Sequence, residues 1–286
     1  MVAGDRLIAM KPLFVVVLIS AATCAYAWIA SLITGDTSWV DRIWSIVPAI
    51  YTWVFAASAG FANARLDVMA GVVTVWGARL TFNFARKGGY SGVEDYRWPV
   101  LRASMSTWQF QLFNFFFIVI YQNIILVLIA LPAWRAYENR ATPFGALDLL
   151  LAAAFLACTA LETVADQQQW NFQTWKRSEA ATGRTPDPQF VQTGLFRASR
   201  HPNYFFELAQ WWIVFLMGAV AAGSLLQWTV VGALLLSVLF VGSTSFTEKI
   251  TLSRYPEYAN YQRRTSAIVP WFSRSRTDEV ETLQFE

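Results

Sequence analysis

Three features of the 286-residue sequence point to an all-α integral membrane protein built as a bundle of seven transmembrane helices. The chain is 56% hydrophobic and only 14% charged, with 22 Phe and 14 Trp, too little charge to cover a soluble chain of this length. Its apolar runs reach about 18 residues or more, the length a helix needs to cross a bilayer. The basic residues gather in alternate connections between those runs.

The runs cover residues 12–34, 39–61, 66–86, 108–134, 144–166, 205–223 and 226–247. The first follows Arg6 and Lys11 as a signal peptide would, but no small-residue cleavage site comes after it, so it reads as a retained helix. The second opens with Asp41 and Arg42 in "WVDRIWSIVP", either an interfacial ion pair or a functional carboxylate. The third is short and carries Arg79, which either snorkels to the interface or holds an anion. The fourth carries Asn114, Tyr121 and Gln122, polar groups suited to bonding between helices. Cys24 and Cys158 lie inside apolar runs and read as packed small residues. A single His and no CxxC pair leave no metal site.

Seven spans place the termini on opposite sides. One side then holds Arg6, Lys11, Arg65, Arg135 and Arg140. The other holds Arg42, Arg86, Lys87, Arg97, Arg102, Lys176, Arg177, Arg184, Arg197, Arg200 and every basic residue from Lys249 onward. That asymmetry sets the C-terminus in the cytoplasm and the N-terminus outside. No linker divides the chain, so one membrane domain is expected over 1–272 with a polar tail at 273–286. The net charge of +3 gives no reason to expect nucleic acid; the partners expected are membrane lipid and a lipidic small molecule, and the chain is read as a monomer.

The polar residues are concentrated on the cytoplasmic side. "GLFRASRHPNY" (194–204) packs two arginines, the chain's one histidine, an asparagine and a proline just before an apolar run. Pro202 suits the first turn of a helix and Ser199 is the expected cap; such a helix start attracts anions. Asn203, Glu207 and Trp211 follow at i, i+4 and i+8 and share a face. Glu162, Asp166, Gln169, Gln173 and Lys176 form a second stripe, running from the membrane into the cytoplasm. Carboxylates inside apolar helices are costly unless paired or facing a polar cavity, and they suit ribose hydroxyls or a carboxamide as partners. Glu248 closes the last run, and "YPEYANYQRR" follows with Tyr255, Tyr258, Tyr261, Arg263 and Arg264, the pattern of an amphipathic interfacial segment. GxGxxG, Walker and GxSxG motifs are missing from the sequence.

"GLFRASRHPNYFFE" with "YPEYANYQRRTSAIVPW" resembles the C-terminal domain of the steroid 5-alpha-reductase family. "VDRIWSIVP", "WGARL" and "VEDYRW" extend the likeness, from about Trp39 to Trp271, to a bacterial subgroup grouped as a domain of unknown function. Isoprenylcysteine carboxyl methyltransferases carry a similar RHPxY segment. The resemblance implies a seven-helix membrane enzyme, with NADPH in a cavity open to the cytoplasm and a flat lipidic enone entering from the membrane; the membrane expected is a bacterial inner membrane, or an endomembrane if the source is eukaryotic. It places the cofactor against Asp166, Arg197, Arg200, His201, Asn203, Tyr204, Glu207 and Trp211, then Arg79, Tyr96 and Arg97, and finally Glu248 and Tyr258. Glu162 joins them from the helix stripe. The animal steroid reductases hold the 3-keto oxygen with a Gln–Glu pair on helix two and a Tyr on helix three. Here helix two offers Asp41 instead and the helix-three position reads Trp76, so Asp41 and Glu207 are the catalytic candidates.

The expected reaction is reduction of a conjugated C=C bond, with hydride passing from the nicotinamide to the β-carbon and a donor stabilising the carbonyl oxygen. Arginine-rich loops suit a phosphate-bearing cofactor. A membrane methyltransferase using S-adenosylmethionine is the second reading, and a lipid-binding scaffold the third.

Overall fold

A computed structural model gives the structure of residues 3–271; the expected tail at 273–286 lies outside the described residues. Every regular element in that range is helical: α1 (Ala3–Thr34), α2 (Trp39–Trp44), α3 (Val47–Ser58), α4 (Ala64–Arg86), α5 (Arg97–Ala103), α6 (Thr107–Phe113), a π-helical stretch (Asn114–Tyr121), α7 (Gln122–Glu138), α8 (Ala146–Ala181), a 3₁₀ turn (Gly194–Arg197), α9 (Pro202–Ala222), α10 (Val230–Arg254) and α11 (Tyr258–Arg264). Among the described residues six helices are long and apolar enough to cross a membrane: Lys11–Thr34, α4, the continuous run Thr107–Glu138, α8, α9 and α10.

The expected span 39–61 is not one helix. It divides into the six residues of α2 and the twelve of α3. Pro48 is the reason: it has no N–H to offer the Trp44 carbonyl, and its ring excludes the residue four back from a continuing helix. At the second position of a new helix the same proline costs nothing. Arg79, the feature that set the third run apart, does not shorten its helix, since α4 has 23 residues.

The chain divides into two compact units. Met1–Leu156 and Gln210–Leu236 form the first, Ala157–Ala209 and Ser237–Glu286 the second. In the first unit α3 lies against α4 in antiparallel register. Ser45 Oγ is 2.7 Å from Thr81 Oγ1, and Trp53 Nε1 donates to Thr74 Oγ1 at 2.8 Å. Gly77 permits the approach at the α2–α3 break, where a Cβ would stand 2.3 Å from the Ser45 carbonyl oxygen. Small residues play the same part in letting membrane helices meet closely. Asn63 caps α4 by accepting from the Leu66 N–H at 3.1 Å.

Of the polar residues singled out in the fourth run, Asn114 bonds to another helix as expected, and Asn123, not singled out, does the same. Asn114 Nδ2 donates to Ser31 Oγ of α1 at 3.1 Å, and Asn123 accepts from Thr23 Oγ1 at 3.0 Å. Between them the wider π turn stacks Phe113, Phe117 and Tyr121 in a column, with centroids 4.8 and 5.3 Å apart. π-Helical turns are uncommon and often sit at functional sites.

At one end of this unit, residues 35–45 knit onto residues 87–102. Arg42 Nη2 meets Asp36 Oδ2 at 2.5 Å, and its Nε donates to the Gly89 carbonyl at 2.9 Å. Glu94 accepts from Thr37 and from both Nη atoms of Arg102. At the opposite end of α4, Arg65 and Asp148 form a buried pair, with bonds of 2.6 and 2.9 Å, and the Arg65 guanidinium also donates to the Thr142 and Pro143 carbonyls.

The second unit contains the C-terminal part of α8, the 3₁₀ turn, the start of α9, the end of α10, and α11 with the arm that follows it. α8 is 36 residues long, about 54 Å at 1.5 Å per residue, and so exceeds a hydrocarbon core of about 30 Å.

Candidate functional site

The loop that leads into α9 is held by the C-terminal arm. Arg200 N donates to Ser266 O at 2.9 Å, His201 N to Ala267 O at 3.0 Å, and Trp271 N to Ala198 O at 2.9 Å. Ser199 does not cap α9. Its hydroxyl donates to Ile268 O at 2.7 Å and accepts from the His201 N–H, so its bonding capacity goes to the arm. The Tyr261 hydroxyl donates to the Phe196 carbonyl.

At the centre lies Glu248. α10 runs on past it to Arg254, so this carboxylate sits inside the helix and not at its end. Arg200 binds it as a fork, Nε to Oε1 at 2.6 Å and Nη2 to Oε2 at 2.9 Å. Such two-pronged pairing is the strongest geometry open to a guanidinium. Arg200 Nη1 donates to the Gln262 and Thr265 carbonyls. His201 Nε2 stands 3.1 Å from Glu248 Oε1, Tyr258 Oη donates to the same oxygen at 3.1 Å, and Gln262 Nε2 donates to Oε2 at 2.8 Å. Burial raises the Tyr258 phenol far above the ordinary tyrosine range, and the Glu248 charge raises it further. Burial also lifts Tyr261.

The remaining residues of the unit fall around this hub. Tyr204 stacks on His201 (5.2 Å) and meets Phe240 edge-on (4.8 Å). Asn203 Nδ2 reaches Asp166 Oδ1 at 3.4 Å. Glu162, Asp166 and Glu207 are all buried, 2, 4 and 7% exposed. Arg197 is exposed.

The other candidates belong to the first unit. Asp41 accepts from Trp98 Nε1 at 3.0 Å and is not Arg42's partner. Arg97 grips Asp95 with bonds of 2.8 and 3.1 Å, Tyr96 is exposed, and Arg79 is half-buried on α4. Trp211 meets Trp76 edge-to-face at 4.8 Å, both fully buried, and neither indole N–H has an acceptor among the described residues.

Gln262 was missed by sequence reasoning, although it shares a helix face with Tyr258 and Tyr261 at i, i+3 and i+4. Nothing local marks the carbonyls of Thr265 to Ile268 as partners of a loop some 69 residues earlier.

Helices of spanning length and a polar hub assembled from distant segments define an all-helical, multi-pass membrane protein. The chain belongs to the family described as "Protein of unknown function (DUF1295)", whose match covers residues 27–265. It is similar to the uncharacterized protein C594.04c of Schizosaccharomyces pombe, 38% identical over 287 residues spanning 95% of this chain and 83% of that protein. No solved structure matches it.

Proposed function

We propose that the chain is a membrane-embedded, NADPH-dependent reductase of a conjugated C=C bond in a lipidic enone, related to the steroid 5-alpha-reductases and seated in a bacterial inner membrane, or in an endomembrane if the source is eukaryotic. The observation that carries the reading is the burial of Glu162, Asp166 and Glu207 in helices of spanning length. Ionisable groups at such depth are expensive and mark ligand pathways.

The donor set fits a dinucleotide, with a division of roles. Asp166 and Glu207 can accept from ribose hydroxyls or the carboxamide, and Asn203 and Tyr204 can bond either way. Arg197 is exposed and offers a cation to phosphate. Arg200 and Glu248 hold each other and the arm, which makes them supports of the site. When bound, the dinucleotide supplies hydride. The chain's part is to orient, exclude water and offer donors. The unsatisfied indole N–H groups of Trp76 and Trp211 suit a ligand acceptor such as a carbonyl oxygen, because a buried N–H without a partner costs about 1–3 kcal/mol.

Seven crossings, with the N-terminus outside and the C-terminus cytoplasmic, belong to the same proposal. The broken α2–α3 pair supplies the seventh. Support comes from the first unit, where residues 35–45 bond to residues 87–102 beyond the end of α4 while Asn63 caps its start. α2–α3 therefore travels the length of α4.

A methyltransferase using S-adenosylmethionine is the second reading. The Arg200–Glu248 pairing favours it, since one cation is withdrawn from phosphate binding. Thermal unfolding of the purified chain with each cofactor separates the two. NADPH is expected to raise the midpoint; a rise with S-adenosylmethionine and none with NADPH would sink the reductase reading.

A further inference from the structure

The two arginines of "RASRH" stand in opposite situations. Arg200 makes four side-chain hydrogen bonds, two to Glu248, one to the Gln262 carbonyl of α11 and one to the Thr265 carbonyl of the arm. Arg197, three residues earlier, is exposed and has no hydrogen-bond or ion-pair partner among the described residues. Its backbone is nevertheless fixed on both sides. Leu195 N donates to Gln168 Oε1 at 2.9 Å, Tyr261 holds the Phe196 carbonyl, Ala198 N returns to Leu195 O at 3.1 Å, and Trp271 N holds Ala198 O. Gly194 begins the turn at φ 63°, where a Cβ would lie 2.4 Å from Gln168 Nε2. An uncommitted guanidinium on a backbone already ordered by folding pays little further entropy to bind.

We infer, resting on the dinucleotide reading above, that Arg197 is this loop's contact to a phosphate of the cofactor and that Arg200 is a positioning residue that does not touch it. For Arg200 to reach a phosphate it must leave Glu248, stranding a carboxylate only 9% exposed among His201, Tyr258 and Gln262. Removing one partner of a buried pair is strongly unfavourable, and the arm would lose its grip on the loop as well. Arg197 gives up no internal bond.

The test uses the purified full chain, measuring dissociation constants for NADPH and NADH and the ligand-free unfolding midpoint. Arg197→Gln is expected to keep the wild-type midpoint and to weaken NADPH by at least ~10-fold, the loss of one charge-assisted hydrogen bond. Arg197→Lys recovers part of that. An equal loss for NADH assigns the contact to the diphosphate, and a loss confined to NADPH assigns it to the 2′-phosphate; both support the inference. Arg200→Lys is expected to lower the ligand-free midpoint and weaken both dinucleotides alike. The inference is overturned if Arg197→Gln binds NADPH as wild type does, or if Arg200→Lys keeps the midpoint while changing the NADPH-to-NADH ratio. A wild-type chain that binds neither dinucleotide overturns the cofactor reading itself, while the bracing role of Arg200 is still judged by its ligand-free midpoint.

Discussion

Two buried arginine–carboxylate pairs hold this protein together, and they are built differently. Arg65–Asp148 in the first unit is closed, with both side chains 1% exposed. Apart from the two charges, its partners are backbone groups: the Thr142 and Pro143 carbonyls and the Gly145 N–H. Arg200–Glu248 in the second unit is 9% exposed on each side and gathers His201, Tyr258 and Gln262 around one carboxylate. The first is a staple whose surroundings cannot titrate. The second is a hub of side chains, contributed by the loop before α9, by α10 and by α11, and each removable alone.

That contrast can be broken or sharpened by substitution. Asp148→Ala should cost most, about 3–5 kcal/mol, because it strands a guanidinium with no route to water; chemical unfolding in detergent measures it, and cofactor affinity of the surviving folded fraction should be unchanged. Glu248→Gln removes the charge but keeps a side chain able to bond, so about 2–3 kcal/mol is expected, now accompanied by weaker cofactor binding. Equal stability losses with no binding defect at Glu248 would erase the distinction between staple and hub. Tyr258→Phe deletes one bond to the carboxylate and should cost about 1–2 kcal/mol.

The hub also predicts a pH effect that the staple does not. Tyr258 and Tyr261 keep their protons in the folded state above the ordinary tyrosine pKa, which is about 10. The stability they contribute is complete below about pH 10. It falls as pH rises further, because the unfolded chain then loses protons that the folded chain retains. Unfolding midpoints compared at pH 8 and pH 11 should show the drop, and replacing both residues by Phe should flatten it. At the small end, Arg184→Ala should leave stability unchanged within error, since its ion pair with Glu179 is largely solvent-exposed.

Much of the helical architecture was legible because apolar runs and helix lengths report the same physical requirement. Six of the seven expected runs are long helices; the seventh fails at Pro48, whose missing N–H was visible in "SIVPAIY" but was outweighed by the hydrophobicity around it. The buried stripe of Glu162 and Asp166 was also legible, since a carboxylate at helical spacing in an apolar run has few explanations. The hub was legible only by its ends. Arg200, His201, Glu248 and Tyr258 were singled out, but as separate ligand contacts, and nothing in their spacing says that they bind one another. Pairing between the arm and the loop uses backbone carbonyls, which every residue possesses and no sequence pattern marks. Ser199 misled for the same reason: a hydroxyl before a helix reads as a cap until a competing carbonyl is in reach.

The same arm sets an order of events during synthesis. The loop before α9 leaves the ribosome well ahead of the residues that hold it, for Ser199 must wait for Ile268, 69 residues later. Glu248 reaches Arg200 before the arm does, so α9 enters the bilayer with its leading loop not yet latched by the arm. Nascent chains arrested before Tyr255 should therefore have inserted helices but a loop still open to protease, whereas chains extended past Trp271 should close it in a single late step.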